Sequence, residues 1–394
     1  MKFVGIDIAS ETHAVAVVDE KSDVLVKAKP FSEDADGYGK LLGLIGSSAD
    51  TLVAMEATGH YWKNLFVYLA VNGFAVALVN PLRTHRFAGE DLQRTKTDAI
   101  DALGIARFAA QKRPPPTRLP DTITEELREL IRFRDRLKQD FDDRVRQLHR
   151  LVDLGFPEFT RYVRSLDSEL ATAILKDFPT AEAFAGIRPR SLSNLKYDGR
   201  HFVGLELANT LIEAAKVSVG RHHGHAYRVQ VRCYCEDLDL LRRRLRELDR
   251  DIESKLDQHE IGKLLTTIDG IGPHTAARLV ATVGNPADFR DERAFSAYVG
   301  AVPGLNHSGM HQPMRAGLTP IGNTALRAKL YMPTLSAVTH NPWLRAFYER
   351  LIAKGKLRKV ALLAAMRKLL TAIYSVAKNR RPFTPNLLPA EGAK

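Results

Sequence analysis

Cysteine is nearly absent from this chain: 394 residues hold two, Cys233 and Cys235. A Cys-x-Cys pair is too close for an ordinary disulfide, and no further cysteine completes a zinc site. Both read as reduced thiols, which points to a cytoplasmic protein. Also missing is any uninterrupted apolar run near the ~20 residues of a membrane span. The opening Met1-Lys2-Phe3-Val4-Gly5-Ile6-Asp7 puts an acid where the apolar core of a signal peptide would continue. No membrane partner is expected. The third scarcity is local. Residues 310–394 contain two acidic residues, Glu349 and Glu391, against 15 Lys and Arg. Residues 1–112 contain 12 Lys and Arg against 14 Asp and Glu, so the net charge of +12 comes almost entirely from the C-terminal end. A basic tail beside an acid-bearing head suits an enzyme that processes a polyanion. An ordinary basic surface, or one that meets anionic lipid, is the plainer alternative.

What is present begins with apolar runs at 2–9, 13–18 and 24–29, joined by short polar linkers. They predict an antiparallel meander. A helix over 36–47, a strand over 51–56, a helix near 60–72 and a strand over 74–79 come next. Helices at about 81–89 and from Asp98 to about Gln111 complete the set. The order β-β-β-α-β-α-β-α is that of the RNase H-like fold, in which the first and fourth strands are neighbours.

Four acids fall at telling places on that plan. Asp7 lies in the first strand between Ile6 and Ile8, where a carboxylate is costly to bury unless paired or metal-bound. Glu56 ends the fourth strand. Asp98 and Asp101 are three apart at a helix start, so they share one face. Four converging carboxylates repel one another unless hard cations such as Mg²⁺ neutralise them. Two such ions could activate an attacking oxygen and stabilise a leaving oxygen of a phosphodiester. Arg83, Arg86, Arg94 and Lys96, in the connection to the acidic helix, are placed to meet a phosphate backbone.

Arg113-Pro114-Pro115-Pro116-Thr117 is a stiff break and an expected domain boundary. Beyond it, 122–152 reads as a long charged helix. Its stripe of Leu127, Leu130, Ile131, Leu137, Phe141, Val145, Leu148 and Leu151 has nearly heptad spacing. A second charged helix near 226–258 predicts an antiparallel pair or a dimerising arm. The cluster Arg221-His222-His223-Gly224-His225 reads as a solvated loop rather than a metal site. Gly270-Ile271-Gly272-Pro273-His274 is similar to the hairpin of helix-hairpin-helix DNA-binding modules, whose backbone N–H groups hold a phosphate. An internally packed helix–helix turn is the alternative. Ser308 sits in a polar loop, and Arg315, Arg327, Lys354, Lys356, Arg358 and Lys359 furnish positive charge further on.

Taken together, Asp7 in GIDIA, Glu56 in AMEATGHYW, Asn80-Pro81 and KTDAIDA resemble the DEDD-type transposases of bacterial insertion sequences, whose relatives include the Piv-type DNA invertases. The segments DGIGPHTAARL, FSAYVGAVPGLNHSG, IGNTALRAKL and HNPWLRAFYERLIAKGK extend the resemblance over roughly 2–380. It implies an α/β plus α architecture in three parts. These are a RuvC-like catalytic domain over 1–113, a helical, coiled-coil linker and oligomerisation region over 114–260, and a mainly helical transposase domain over 261–394. It implies Asp7, Glu56, Asp98 and Asp101 as Mg²⁺ ligands and Ser308 as the nucleophile that attacks DNA phosphate. The loop here reads His307-Ser308-Gly309, where the family often has Ser-Ser-Gly. Implied partners are donor and target DNA, a guide ("bridge") RNA, and further copies of the chain in a dimer or tetramer. A hydrolytic nuclease that uses the acids and water alone is the competing enzyme reading. A nucleic-acid-binding protein with an idle acidic site is the non-enzymatic one.

Overall fold

The computed structural model describes residues 1–90, 97–306, 314–318 and 321–385. The chain divides into two compact units, Met1–Pro120 and Asp121–Lys394. In the first unit, β1 (Lys2–Asp7), β2 (Thr12–Val18) and β3 (Val24–Ser32) form an antiparallel meander. α1 (Ala35–Ile45) leads to β4 (Thr51–Glu56), and α2 (Trp62–Val71) leads to β5 (Ala75–Val79). β1 pairs with β4 and β4 with β5, both in parallel. The sheet order β3-β2-β1-β4-β5 puts the first and fourth strands side by side, as an RNase H-like domain requires. α3 (Pro81–Glu90) and α4 (Asp98–Lys112) come after β5.

Strand alternation assigns the two faces. Val4, Ile6, Val15, Val17, Val53 and Met55 pack against Leu41, Leu65 and Leu69 of α1 and α2. Phe3, Leu52, Ala54, Ala77 and Val79 face the other way, onto Phe87 of α3 and Ile105, Ala106 and Phe108 of α4. α4 starts at Thr97, whose side chain accepts from the Ile100 N–H and caps the helix. Asp98 and Asp101 occupy its first turn, where the helix dipole favours negative charge.

The proline-rich stretch at 114–116 does not itself end the first unit. The Thr117 N–H donates to the Val76 carbonyl at 2.7 Å, and the Leu78 N–H donates to Thr117 Oγ1 at 2.9 Å. These bonds tie 114–120 to the edge of β5, so the division falls at Pro120/Asp121 rather than at 113/114.

In the second unit, α5 (Thr122–Gly155) and α10 (His225–Leu256) are the long charged helices. The ion pairs Lys255–Glu126, Arg134–Asp249 and Arg144–Asp237 run in opposite sequence directions, so the pair is antiparallel. Six of the eight stripe residues are buried, while Leu130 and Val145 are partly so. Between the two helices in sequence lie α6 (Phe159–Tyr162), α7 (Glu169–Asp177), α8 (Pro189–Ser193) and α9 (Leu205–Lys216). These share one core with Leu137–Leu148 of α5 and Val231–Leu248 of α10.

At the other end of the pair, Leu127, Ile131, Ile252 and Leu256 share a second core with the C-terminal elements. Those elements are α11 (Glu260–Leu265), α12 (Pro273–Val283), α13 (Glu292–Val299), α14 (Thr324–His340), α15 (Pro342–Ala353) and α16 (Arg358–Asn379), and β6 (Pro303–Asn306) and β7 (Met314–Leu318) form an antiparallel pair between α13 and α14 in sequence. The long helices therefore enter the C-terminal core, and no break in packing occurs at 260. α14 continues through Pro333 as one helix. Among the described residues, α16 is the one helix long and apolar enough to cross a membrane; it packs within this second core.

Candidate active site and nucleic-acid interface

Alternation that sends Phe3 toward α4 sends Gly5 and Asp7 the same way, and in β4 it does the same for Glu56 after Leu52 and Ala54. Gly5 lets the helix come close: a Cβ there would lie 2.2 Å from the Ala102 carbonyl oxygen and 2.2 Å from the Ala106 nitrogen. One turn earlier on α4 come Asp101 and Asp98. Ala102 also packs against Ala14, and Ala14 is the cross-strand partner of Asp7. Ile6 is paired with Met55, so Asp7 and Glu56 end neighbouring strands. All four acids thus occupy the same end of one sheet face. Asp7, Glu56 and Asp101 are half-buried and Asp98 is exposed.

Glu56 has a defined partner. Thr84 Oγ1 lies 2.5 Å from Glu56 Oε1, and Thr84 is buried on the inner side of α3. In kind and placement the four carboxylates fit a hard divalent cation. In spacing the site is open: among the described residues no three His, Cys, Asp or Glu side chains stand close enough to hold one ion together.

On the opposite face of the sheet is a polar network that the strand and helix periodicities do not reveal. His13 is 1 % exposed. Its Nδ1 accepts from the Ala9 N–H at 3.1 Å, so the proton is on Nε2, which donates to Glu33 at 2.6 Å. Tyr38 and Asn64 also donate to Glu33. Burial raises the Glu33 pKa, but the bonds from His13, Tyr38 and Asn64 outweigh it and hold the carboxyl below its usual value. The network anchors Ala9, two residues after Asp7. The one signal of it in the sequence is a histidine inside the apolar run HAVAVV.

The cationic candidates divide. Arg83 and Arg86 lie on the exposed side of α3, with the Arg83 guanidinium 5.4 Å from the Phe108 ring. Lys354, Lys356, Arg358 and Lys359 are exposed at the α15–α16 turn, where Leu357 leaves the first turn of α16 without a side-chain cap. Gly270 packs inward at φ 96°; a Cβ would lie 2.4 Å from the Ala337 Cα, so α14 covers this side of the hairpin. Gly272 stays exposed as the N-cap of α12.

His274 is half-buried. Burial first, and then the Arg134 and Arg278 guanidiniums, push its pKa down to about 4. It is therefore neutral at pH 7. Arg327 donates to the Gly300 carbonyl at 2.8 Å, which ties part of its guanidinium to the end of α13. Arg94, Lys96 and Ser308 lie outside the described residues, as does the side chain of Arg315.

Known proteins match both ends of the chain. Residues 4–157 match the DEDD transposase domain of IS110, and 262–349 match the domain described as transposase IS116/IS110/IS902 family. The pilin gene-inverting protein of Moraxella bovis is 24% identical over 387 residues, covering 97% of both chains. The 44.8 kDa protein of insertion element IS116 from Streptomyces clavuligerus is 27% identical over 399 residues, covering 97% of this chain and 96% of its own. The transposase for insertion sequence element IS1111A from Coxiella burnetii is 20% identical over 362 residues, covering 89% and 84%. Two domains of one family, matched in order, and relatives aligned nearly end to end place this chain in the IS116/IS110/IS902 family of transposases, enzymes of DNA recombination.

Proposed function

We propose that the chain is an insertion-sequence recombinase in which Asp7, Glu56, Asp98 and Asp101 serve strand exchange carried out by Ser308. The observation that carries this reading is the gathering of all four acids at one end of one sheet face, around the close approach of Gly5 to α4. In the reaction, Ser308 Oγ gives up its proton and attacks a DNA phosphorus. A serine–phosphate ester forms, the P–O bond to one sugar breaks, and that sugar oxygen takes up a proton. Attack on the ester by the sugar oxygen of another strand then frees the serine. A serine hydroxyl is a poor nucleophile unaided. Mg²⁺ bound at these acids would supply Lewis-acid stabilisation of charge on the phosphate oxygens.

Asp7, Glu56, Asp98 and Asp101 belong to the unit 1–120, and Ser308 belongs to the unit 121–394. Strand exchange by this route requires the acids and Ser308 to act on one phosphate, from one chain or from different copies in a homodimer or tetramer. The long α5–α10 pair is the element we assign to that assembly. Arg83, Arg86, Arg94 and Lys96 would hold the phosphates beside the acids. Gly272 at the start of α12, Arg315, and the basic turn 354–359 would hold a second stretch of nucleic acid. A guide RNA from the same element is the partner we propose for target choice. The compartment is the cytoplasm.

The test is a DNA substrate incubated with the protein and Mg²⁺, denatured, and examined for a covalent protein–DNA adduct. Adduct and recombinant product are expected, and both vanish in Ser308→Ala. The competing reading is hydrolysis by the acids with water. Metal-dependent cutting that survives in Ser308→Ala without an adduct would establish that alternative. RNA that co-purifies with the protein and matches DNA flanking its gene would support the guide.

A further inference from the structure

We infer that Thr84 is a positioning residue for Glu56. The inference rests on the proposed reading of Glu56 as a metal-binding acid, and it concerns how that acid is oriented.

Glu56 ends β4, and its register partner is Val79, the last residue of β5. Asn80 comes next and accepts from the Leu82 N–H at 2.9 Å, turning the chain into α3 with Pro81 at its start. One turn later, Thr84 points back at the strand end from which the helix departed. Thr84 is 6 % exposed and Phe87, three residues on, is 7 % exposed, so both lie on the docked side of α3. Phe87 settles against Phe108 of α4 with ring centroids 5.6 Å apart, which fixes where the Thr84 hydroxyl stands.

That hydroxyl has one proton and two acceptors within reach: Glu56 Oε1 at 2.5 Å and the Pro81 carbonyl at 2.9 Å. A charged acceptor makes the stronger bond, and the carbonyl can be served by its own helix. The proton therefore goes to Glu56. A glutamate turns about three side-chain bonds, and ordering it costs rotamer entropy. The bond from Thr84 removes part of that cost by tying one carboxylate oxygen, which leaves Oε2 for a ligand. Carboxylates that bind metals are commonly oriented in this way, and loss of such a partner weakens metal affinity roughly 10–100-fold. The helix that holds the hydroxyl also carries Arg83 and Arg86 on its exposed side. A phosphate seated on those arginines would bear on the element that aims Glu56.

The test compares the full-length protein with its Thr84→Val, Thr84→Ser, Thr84→Ala and Glu56→Gln forms. Binding of Mn²⁺ alone is followed by electron paramagnetic resonance, beside the thermal unfolding midpoint. Thr84→Val keeps the shape and removes the hydroxyl. It should bind Mn²⁺ about tenfold more weakly while unfolding near the parent temperature. Thr84→Ser restores the hydroxyl and should restore most of the affinity. If Thr84→Val fails to fold, Thr84→Ala carries the comparison with the same expected loss. Parental Mn²⁺ affinity in the hydroxyl-free variants would overturn the role of Thr84, and so would a Ser variant as weak as the Val variant. Glu56→Gln separates the two levels: if it binds Mn²⁺ like the parent, the reading of Glu56 itself fails. If only Glu56→Gln loses binding, Glu56 stands and Thr84 does not.

Discussion

Gly5 and Ala106 are in backbone contact: a Cβ added to Gly5 would lie 2.2 Å from the Ala106 nitrogen. The atoms opposite Gly5 are main chain, so no side chain can turn aside to admit a methyl group. This contact sets the height of α4 over β1 and hence the distance from Asp98 and Asp101 to Asp7.

Gly5→Val should therefore damage both stability and the acid site. Overpacking against rigid backbone costs on the order of 3 kcal/mol. The expected result is a lower urea midpoint together with loss of recombination. A Gly5→Val protein with the parent midpoint would show that α4 can lift without cost.

Asp101→Asn removes one charge at nearly constant shape. Asp101 is half-buried in the first turn of α4, where its carboxylate serves the fold through the helix dipole. Stability should fall by less than about 1 kcal/mol, whereas recombination should be lost. Full activity in this variant would remove α4 from the chemistry.

The basic turn should reveal itself in salt dependence. Lys354, Lys356, Arg358 and Lys359 are exposed, and among the described residues none of them is ion-paired. Each phosphate contact contributes about −0.9 to the slope of log affinity against log salt. Replacing all four by Ala should flatten that slope by about 3 to 4, with little change in the unfolding midpoint. An unchanged slope would place the nucleic acid elsewhere.

His274 gives the protein an acid-side sensitivity. Folded, the imidazole resists protonation down to about pH 4, whereas its ordinary value is 6.5. Between these values the unfolded chain binds more protons, so stability declines as pH is lowered through that window. His259, whose pKa burial also lowers, adds in the same direction. Urea midpoints at pH 7 and pH 5 should differ less in His274→Gln than in the parent. An equal difference would mean that His274 does not carry the effect.

Much of the N-terminal unit is legible in the sequence. The runs at 2–9, 13–18 and 24–29 form β1 to β3, and Glu56 ends β4 as expected. Strand period and apolar composition are local properties, so they survive without tertiary information. The long helices are legible for the same reason, since a heptad stripe already implies a partner. The roles of Gly270, His274 and Arg327 are not legible. An exposed glycine hairpin and one pressed against Ala337 have the same sequence, and an arginine gives no sign that it will donate to the Gly300 carbonyl. The network of His13, Glu33, Tyr38 and Asn64 joins residues up to 51 positions apart, and no local pattern connects them.

The acids at Asp7, Glu56, Asp98 and Asp101 show the division most clearly. Sequence alone determined which strands and helix would carry them, because periodicity sets the element and composition sets its ends. Only the tertiary structure decided that they share one face and one end. That outcome depends on the parallel pairing of β1 with β4 and on a glycine that admits α4, both of which are contacts between distant parts of the chain. It also decided that Glu56 meets Thr84, since a hydroxyl 28 residues away becomes a partner only when β5 and α3 fold it back over the strand.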